Sequence, residues 1–318
     1  MAGAWLEIAR TTDLAQADDL ALVLEAAGIP SGRMREGRAH VILVREEDSA
    51  RAGVELVRFT AENQARPAPQ ATPLQPLGPA RDAAIVYALA LGTAHLAQRL
   101  GSYGVDWTAA GRAEARLIRS GAWWRSLTAL MLHADVVHVA GNALFGALFG
   151  VMLAQSVGIG WTWLTFVVAG GLGNALNAWV QEPTHLSIGA STGVFGLLGA
   201  QVAYEWMRRR QLRHGAWRRA APVIMGVALL AWLGGAAAEP RPGDLELVAL
   251  PRIDVGAHLF GFAVGLGIGL ALGAPKRPPL QSRRAQALLA ASAIASIVLA
   301  WVWALGGDSY RISQFRIR

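Results

Sequence analysis

The sequence has no cysteine. Disulfides and thiol nucleophiles are therefore excluded, and cysteine usage says nothing about redox compartment. Charge is also scarce. Only 16% of the 318 residues are charged, well below the roughly 25% of a soluble domain. A signal-peptide core is missing as well, since the opening residues carry Asp13, Asp18 and Asp19 without an apolar run. In place of charge the chain has hydrophobicity: 53% apolar residues and a mean hydropathy of +0.34. Several apolar runs approach 20 residues, about the length that spans a bilayer core. The net charge of +7 does not imply nucleic acid. Much of the excess is arginine in short loops between apolar runs, as positive-inside topology requires. A lipid bilayer is the expected surroundings, and no nucleic-acid partner is expected.

Residues 1–63 read as a small α+β domain of order β-α-β-β-α. Trp5–Ala9 is a short strand. Asp13 can cap a helix with apolar positions Leu20, Val23, Leu24 and Ala27, which Gly28 ends. Arg33–Arg35 and His40–Val44 read as strands turned at Gly37. A second helix starts at Asp48 or Ser49 and runs through Val54, Val57 and Phe59. His40 reads as a surface strand residue, because no second metal ligand lies at ligand spacing. Residues 64–82 hold Pro67, Pro69, Pro73, Pro76 and Pro79, and read as a semi-rigid tether.

Seven apolar spans follow, at about 83–100, 136–155, 158–180, 189–206, 221–238, 255–273 and 287–305. The fold class is thus an all-α polytopic membrane helix bundle behind a small α+β domain. Residues 83–274 form a six-helix core, and residues 275–318 a basic loop, a seventh helix and a tail. The loops after spans four and six carry Arg208, Arg209, Arg210, Arg213, Arg218 and Arg219, then Lys276, Arg277, Arg283 and Arg284. Both are expected in the cytoplasm, with the N-terminal domain there too and the C-terminus outside. Arg311, Arg316 and Arg318 in the tail, and Arg112, Arg116, Arg119 and Arg125 in the first connection, oppose that rule. With this topology Ser191, His258, His133 and His138 all lie near the outer surface. Ionisable groups in lipid are costly, so their default reading is functional.

Ser191 lies in Ile188-Gly189-Ala190-Ser191-Thr192-Gly193-Val194-Phe195-Gly196, a hydroxyl framed by small residues. Serine is a poor nucleophile until a base takes its proton, and His258 is the candidate base. Ala257, Gly261, Gly265 and Gly269 recur every four residues, and Gly189, Gly193 and Gly196 do similar work on span four. Such small-residue faces let two helices approach in a membrane. A tetrahedral intermediate also needs hydrogen-bond donors. His138 and Asn142 share one helical face and, with the Ser191 N–H, could form an oxyanion hole. Metal binding by His133 and His138 is the alternative, but their spacing of five is not that of HExxH. Asp254 is either a cap or a partner for His258. Phe195 either packs on the imidazole or fills core. No metal or cofactor is expected. A transporter would show internal repeats, and none is visible.

His133, His138 and Asn142, then Gly189-Ala190-Ser191, then Ala257-His258 with Gly261 and Gly265, resemble the rhomboid intramembrane serine proteases. Trp124-Arg125 resembles that family's Trp-Arg pair in the first loop. The resemblance covers about residues 83–273, with the seventh span matching a bacterial six-plus-one type. It implies Ser191 as nucleophile, His258 as base and later acid, and His138 with Asn142 as oxyanion donors. Phe195 stands where the family has an aromatic beside the catalytic histidine. Thr192 departs from the family, which commonly has glycine there. Implied partners are single-span membrane protein substrates, in a bacterial inner membrane. The alternative is a catalytically inactive rhomboid-like binder of membrane proteins. The position of the N-terminal domain suggests regulation of access or a cytoplasmic partner.

Overall fold

The computed structural model describes residues 4–64, 74–212, 215–235 and 254–306. The middle of the proline tether, Arg213, the end of the expected fifth span and the tail arginines lie outside the described residues. The chain divides into two compact units, one up to residue 71 and one from residue 72.

In the first unit, β1 (Trp5–Thr11), α1 (Leu14–Ala26), β2 (Ser31–Glu36), β3 (Ala39–Arg45) and α2 (Ser49–Gln64) follow the expected order. The sheet runs β1-β3-β2, antiparallel throughout. Asp13 accepts a hydrogen bond from the Ala15 N–H and caps α1. Gly28 and Gly37 take positive φ, which lets the chain turn after α1 and between β2 and β3. The core is Leu20 and Leu24 of α1, Ile42 and Val44 of β3, and Ala52 and Leu56 of α2. Val54 and Val57 are exposed, because the buried face of α2 is set by the spacing of Ala52 and Leu56.

The second unit is built on long helices: α3 (Leu77–Leu100), α7 (Val136–Val157), α8 (Ile159–Val180), α9 (Ser191–Gln211), α10 (Ala216–Gly235), α11 (Val255–Gly273) and α12 (Arg283–Leu305). Each expected span has its helix. The tether is shorter than expected, since α3 begins at Leu77 rather than near Ala83. Pro79 is in the first turn of α3, where its missing N–H has no helical partner to lose. Among the described residues α7, α8, α11 and α12 are long and apolar enough to cross a membrane. The helix α9 is less apolar for a physical reason. It packs against α7, α8, α10 and α11, so it faces protein on most sides and uses small residues there. Pro222 inside α10 cannot bond the Arg218 carbonyl; Arg209 donates to that carbonyl at 2.9 Å instead.

The first connection is not an open loop. It folds into α4 (Trp107–Gly111), β4 (Ala113–Glu114), α5 (Ala115–Arg119) and α6 (Arg125–Thr128). Arg125 is buried and donates to the Arg112 and Ala109 carbonyls at 2.9 and 3.0 Å. It staples α6 to α4. Trp124 lies beside Trp303 of α12, ring centroids 6.1 Å apart. A short strand β5 (Leu186–Ser187), just ahead of α9, pairs with β4.

Candidate active site

The nucleophile candidate sits on the tightest helix pair in the bundle. Gly261, Gly265 and Gly269 of α11 face the carbonyls of Thr192, Gly196 and Ala200 of α9, and a Cβ at any of the three would strike that carbonyl. Both series repeat every four residues, so the two backbones touch along a stripe. Gly193 serves a different neighbour than expected, and Gly196, whose carbonyl faces Gly265 of α11, serves that second neighbour as well. A Cβ at either would run into Phe166 or Ala169 of α8. The small residues of α9 therefore work on two faces, one towards α11 and one towards α8.

That contact brings Ser191 to His258. Oγ of Ser191 is 2.8 Å from Nε2 of His258. With the imidazole proton on Nδ1, the hydroxyl donates to Nε2. Among the described residues Nδ1 has no hydrogen-bond partner. Asp254 makes no hydrogen bond to the His258 imidazole: its Oδ1 accepts from the Ala257 N–H at 3.0 Å and caps α11. The arrangement is a Ser–His pair, the geometry that a catalytic dyad needs. Phe195, one turn after Ser191, lies against the imidazole with centroids 4.4 Å apart.

His138 and Asn142 begin α7, capped by Asp135. Ala134 N–H points at Nδ1 of His138 at 3.5 Å, which leaves the ring proton on Nε2. That nitrogen faces Gly189: a Cβ there would be 2.8 Å from Nε2 and 3.6 Å from the Ser191 Oγ. Gly189 has φ of 131°, so glycine is required both by the backbone and by the space. Asn142 spends one amide N–H on the His138 carbonyl at 3.2 Å. No side chain caps α9 at Ala190, and its first-turn N–H groups have no helical partner. The His138 ring of α7 and the first-turn N–H groups of α9 thus lie beside Ser191.

His133 stands behind this group. Its buried Nε2 accepts from the Ala190 N–H at 3.4 Å, and its own N–H donates to the Gln98 side chain at 3.1 Å. Burial, followed by the charges of His138 and His95, pushes the His133 imidazole down to about 3. It stays neutral and can keep accepting from Ala190. His133 and His138 are ring neighbours at 5.0 Å, and His133 supports the turn into Ser191. Thr192 is turned away from the dyad. Its hydroxyl donates to Asn174 of α8 at 2.8 Å, and Asn174 donates to the Ser126 carbonyl at 2.9 Å.

Sequence reasoning overlooked His95, Gln98, Asn174, Asn177 and His185. His95 and Asn174 are polar groups inside apolar spans, a signal that could have marked them. Gln98 lies near the end of α3 and His185 in the connection between α8 and α9, where polar residues are ordinary and carry no such signal.

Residues 120–275 match the Rhomboid domain. RHOMBOID-like protein 7 of Arabidopsis thaliana is 29% identical over 160 residues, 50% of this chain and 46% of that protein. Rhomboid protease GluP of Bacillus subtilis is 30% identical over 179 residues, 56% of this chain and 32% of that protein. Rhomboid-like protease 1 of Toxoplasma gondii is 32% identical over 158 residues, 48% of each. The chain spans less than half the length of these relatives.

Proposed function

This chain belongs to the rhomboid family, and we propose that it is an intramembrane serine endopeptidase. Its substrates are single-span membrane proteins, cut in or near the spanning segment. The observation that carries the reading is the 2.8 Å separation of Ser191 Oγ and His258 Nε2, on two helices whose glycines hold them in backbone contact.

The chemistry follows from that pair. His258 takes the hydroxyl proton as Ser191 Oγ attacks the scissile carbonyl carbon. The carbonyl oxygen becomes an oxyanion and accepts from His138 Nε2, Asn142 Nδ2 and the Ser191 N–H. The helix dipole of α9 adds positive potential at the same point. Phe195 meets the imidazolium with its ring face, which favours the charged form. His258 then gives its proton to the leaving amine as the C–N bond breaks. Water, deprotonated by His258, hydrolyses the acyl-enzyme and frees Ser191. Substrate must unwind locally, because an intact helix hides its amides.

The dyad sits at the end of α9 and α11 opposite their basic ends, where Arg208 donates to the Lys276 carbonyl at 3.3 Å. If the basic ends face the cytoplasm, as the arginine pattern implies, cleavage occurs towards the outer surface of a bacterial inner membrane. The test is cleavage of a single-span substrate by purified protein in liposomes, with fluorophosphonate labelling of Ser191. Ser191→Ala and His258→Ala should abolish cleavage in folded protein. Cleavage persisting in both would end the proposal. A chain that folds and binds such substrates but neither cleaves nor labels would be the inactive binder instead.

A further inference from the structure

We propose that His185 is a positioning residue for the dyad, which through Asp254 ties the segment entering Ser191 to the start of the helix carrying His258. This deepens the protease reading and, for its effect on rate, rests on it.

The two oxygens of Asp254 have separate duties. Oδ1 caps α11 by accepting from Ala257 at 3.0 Å. Oδ2 accepts from Nε2 of His185 at 2.7 Å and from Nδ2 of Asn177 at 2.7 Å. One carboxylate therefore joins the end of α8, the segment between α8 and α9, and the first turn of α11. The site is closed on the α11 side: a Cβ at Gly256 would strike Asn177 Oδ1. The end of α8 is held in turn by Arg119, which donates to the Ala178 carbonyl at 2.7 Å and to the Gln181 carbonyl.

His185 is itself held by its backbone. Its carbonyl accepts from Ala115 at 3.0 Å, and its N–H donates to the Glu182 carbonyl at 2.9 Å. The next residues, Leu186 and Ser187, pair with β4, and the Gly189 N–H donates to Ala129 at 2.9 Å. The approach to Ser191 is thus a braced strip, and the His185 side chain is its direct tie to α11.

Such a tie supplies what the glycine stripe lacks. Small-residue packing sets how closely α9 and α11 lie, but a contact repeating every four residues resists axial sliding weakly. A charge-assisted hydrogen bond is directional and short. It sits one turn ahead of His258, where a small slide would change the Oγ to Nε2 distance most directly. Reaction geometry is sensitive on that scale, with a misplacement near 1 Å able to cost about a hundredfold in rate.

The absence of cysteine makes the tie measurable. Leu186→Cys and Val255→Cys, both at exposed positions, place two spin labels across it in the full chain. The expected interspin distribution is narrow, broadens in His185→Ala, and narrows again in His185→Gln, whose amide can still donate to Asp254. In unlabelled protein His185→Ala should lower kcat about tenfold with KM within about twofold. His185→Gln should recover most of it. Asp254→Asn keeps a capping oxygen but offers no second acceptor, so it should match His185→Ala, and the double variant should lose no more than either alone. An unchanged distance distribution in His185→Ala overturns the proposal, as does a kcat loss that only tracks the folded fraction. The distance measurement needs no cleavage. A native chain that does not cleave would therefore refute the protease reading, while the spin labels would still decide whether His185 ties the two segments.

Discussion

Gly261, three residues after the candidate base His258, lies against the carbonyl of Thr192, one residue after the nucleophile candidate. The missing side chain at Gly261 is what lets the Ser191 and His258 side chains meet at 2.8 Å. A methyl group there has backbone in its way, so it cannot be absorbed by a rotamer change. Gly261→Ala should cost about 1–3 kcal/mol through overpacking, seen as a lower unfolding temperature in detergent. Cleavage should fall at least about a hundredfold as the helices part. Gly267, six residues on, has open space around its Cβ position, and Gly267→Ala should change neither measurement appreciably.

Thr192 follows Ser191 but points into α8, where its hydroxyl donates to Asn174. Thr192→Val leaves Asn174 Oδ1 short of a donor inside the bundle. The expected loss is about 1–3 kcal/mol of stability, with fluorophosphonate labelling of the remaining folded protein close to native. Thr192→Ser keeps the hydroxyl and should restore the stability. A labelling rate that collapses in Thr192→Val while the protein stays folded would show that the residue shapes the oxyanion site instead.

In the proposed oxyanion hole His138 and Asn142 supply separate donors from the start of α7. Removing a donor that acts on the oxyanion typically costs about a hundredfold to a thousandfold in kcat. His138→Ala and Asn142→Ala should each fall in that range with KM little changed, measured by steady-state cleavage. A rise in KM at constant kcat would assign them to ground-state binding of the substrate.

Gln286 docks the seventh helix. Its Oε1 accepts from the Gly160 N–H at 2.8 Å, and its Nε2 donates to the Val157 and Leu280 carbonyls at 3.3 and 3.0 Å. Gly158 and Gly160 leave no room for a Cβ beside it. Gln286→Leu fills similar space but leaves the Gly160 N–H and the Leu280 carbonyl unmatched, at a cost of about 1–3 kcal/mol each, while Gln281 still donates to the Val157 carbonyl at 3.0 Å. The expected outcome is faster proteolysis in the loop before α12 and a lower unfolding temperature, with part of the cleavage activity retained.

Much of this was legible in the chain itself. Apolar runs of bilayer length, glycine at every fourth position and the order of the N-terminal elements depend on interactions within a few residues. So helix after helix falls where the composition places it. The chemistry-bearing groups could be named too, because Ser191, His258 and His138 interrupt lipid-soluble stretches at a cost that needs a reason. Separation across the bundle was another matter. Ser191 and His258 are 67 residues apart, and whether they touch depends on which face of α9 turns to α11. Tertiary packing decided that Gly193 serves α8, that Thr192 faces away from Ser191 and His258, and that Asp254 caps a helix and receives His185 rather than bonding the His258 imidazole. It also folded the first connection into short elements around the buried Arg125. Local sequence governs whether a segment becomes a helix and whether it dissolves in lipid. Hydrogen bonds between distant segments have no local signature, because each partner alone looks like an ordinary polar residue at a helix end.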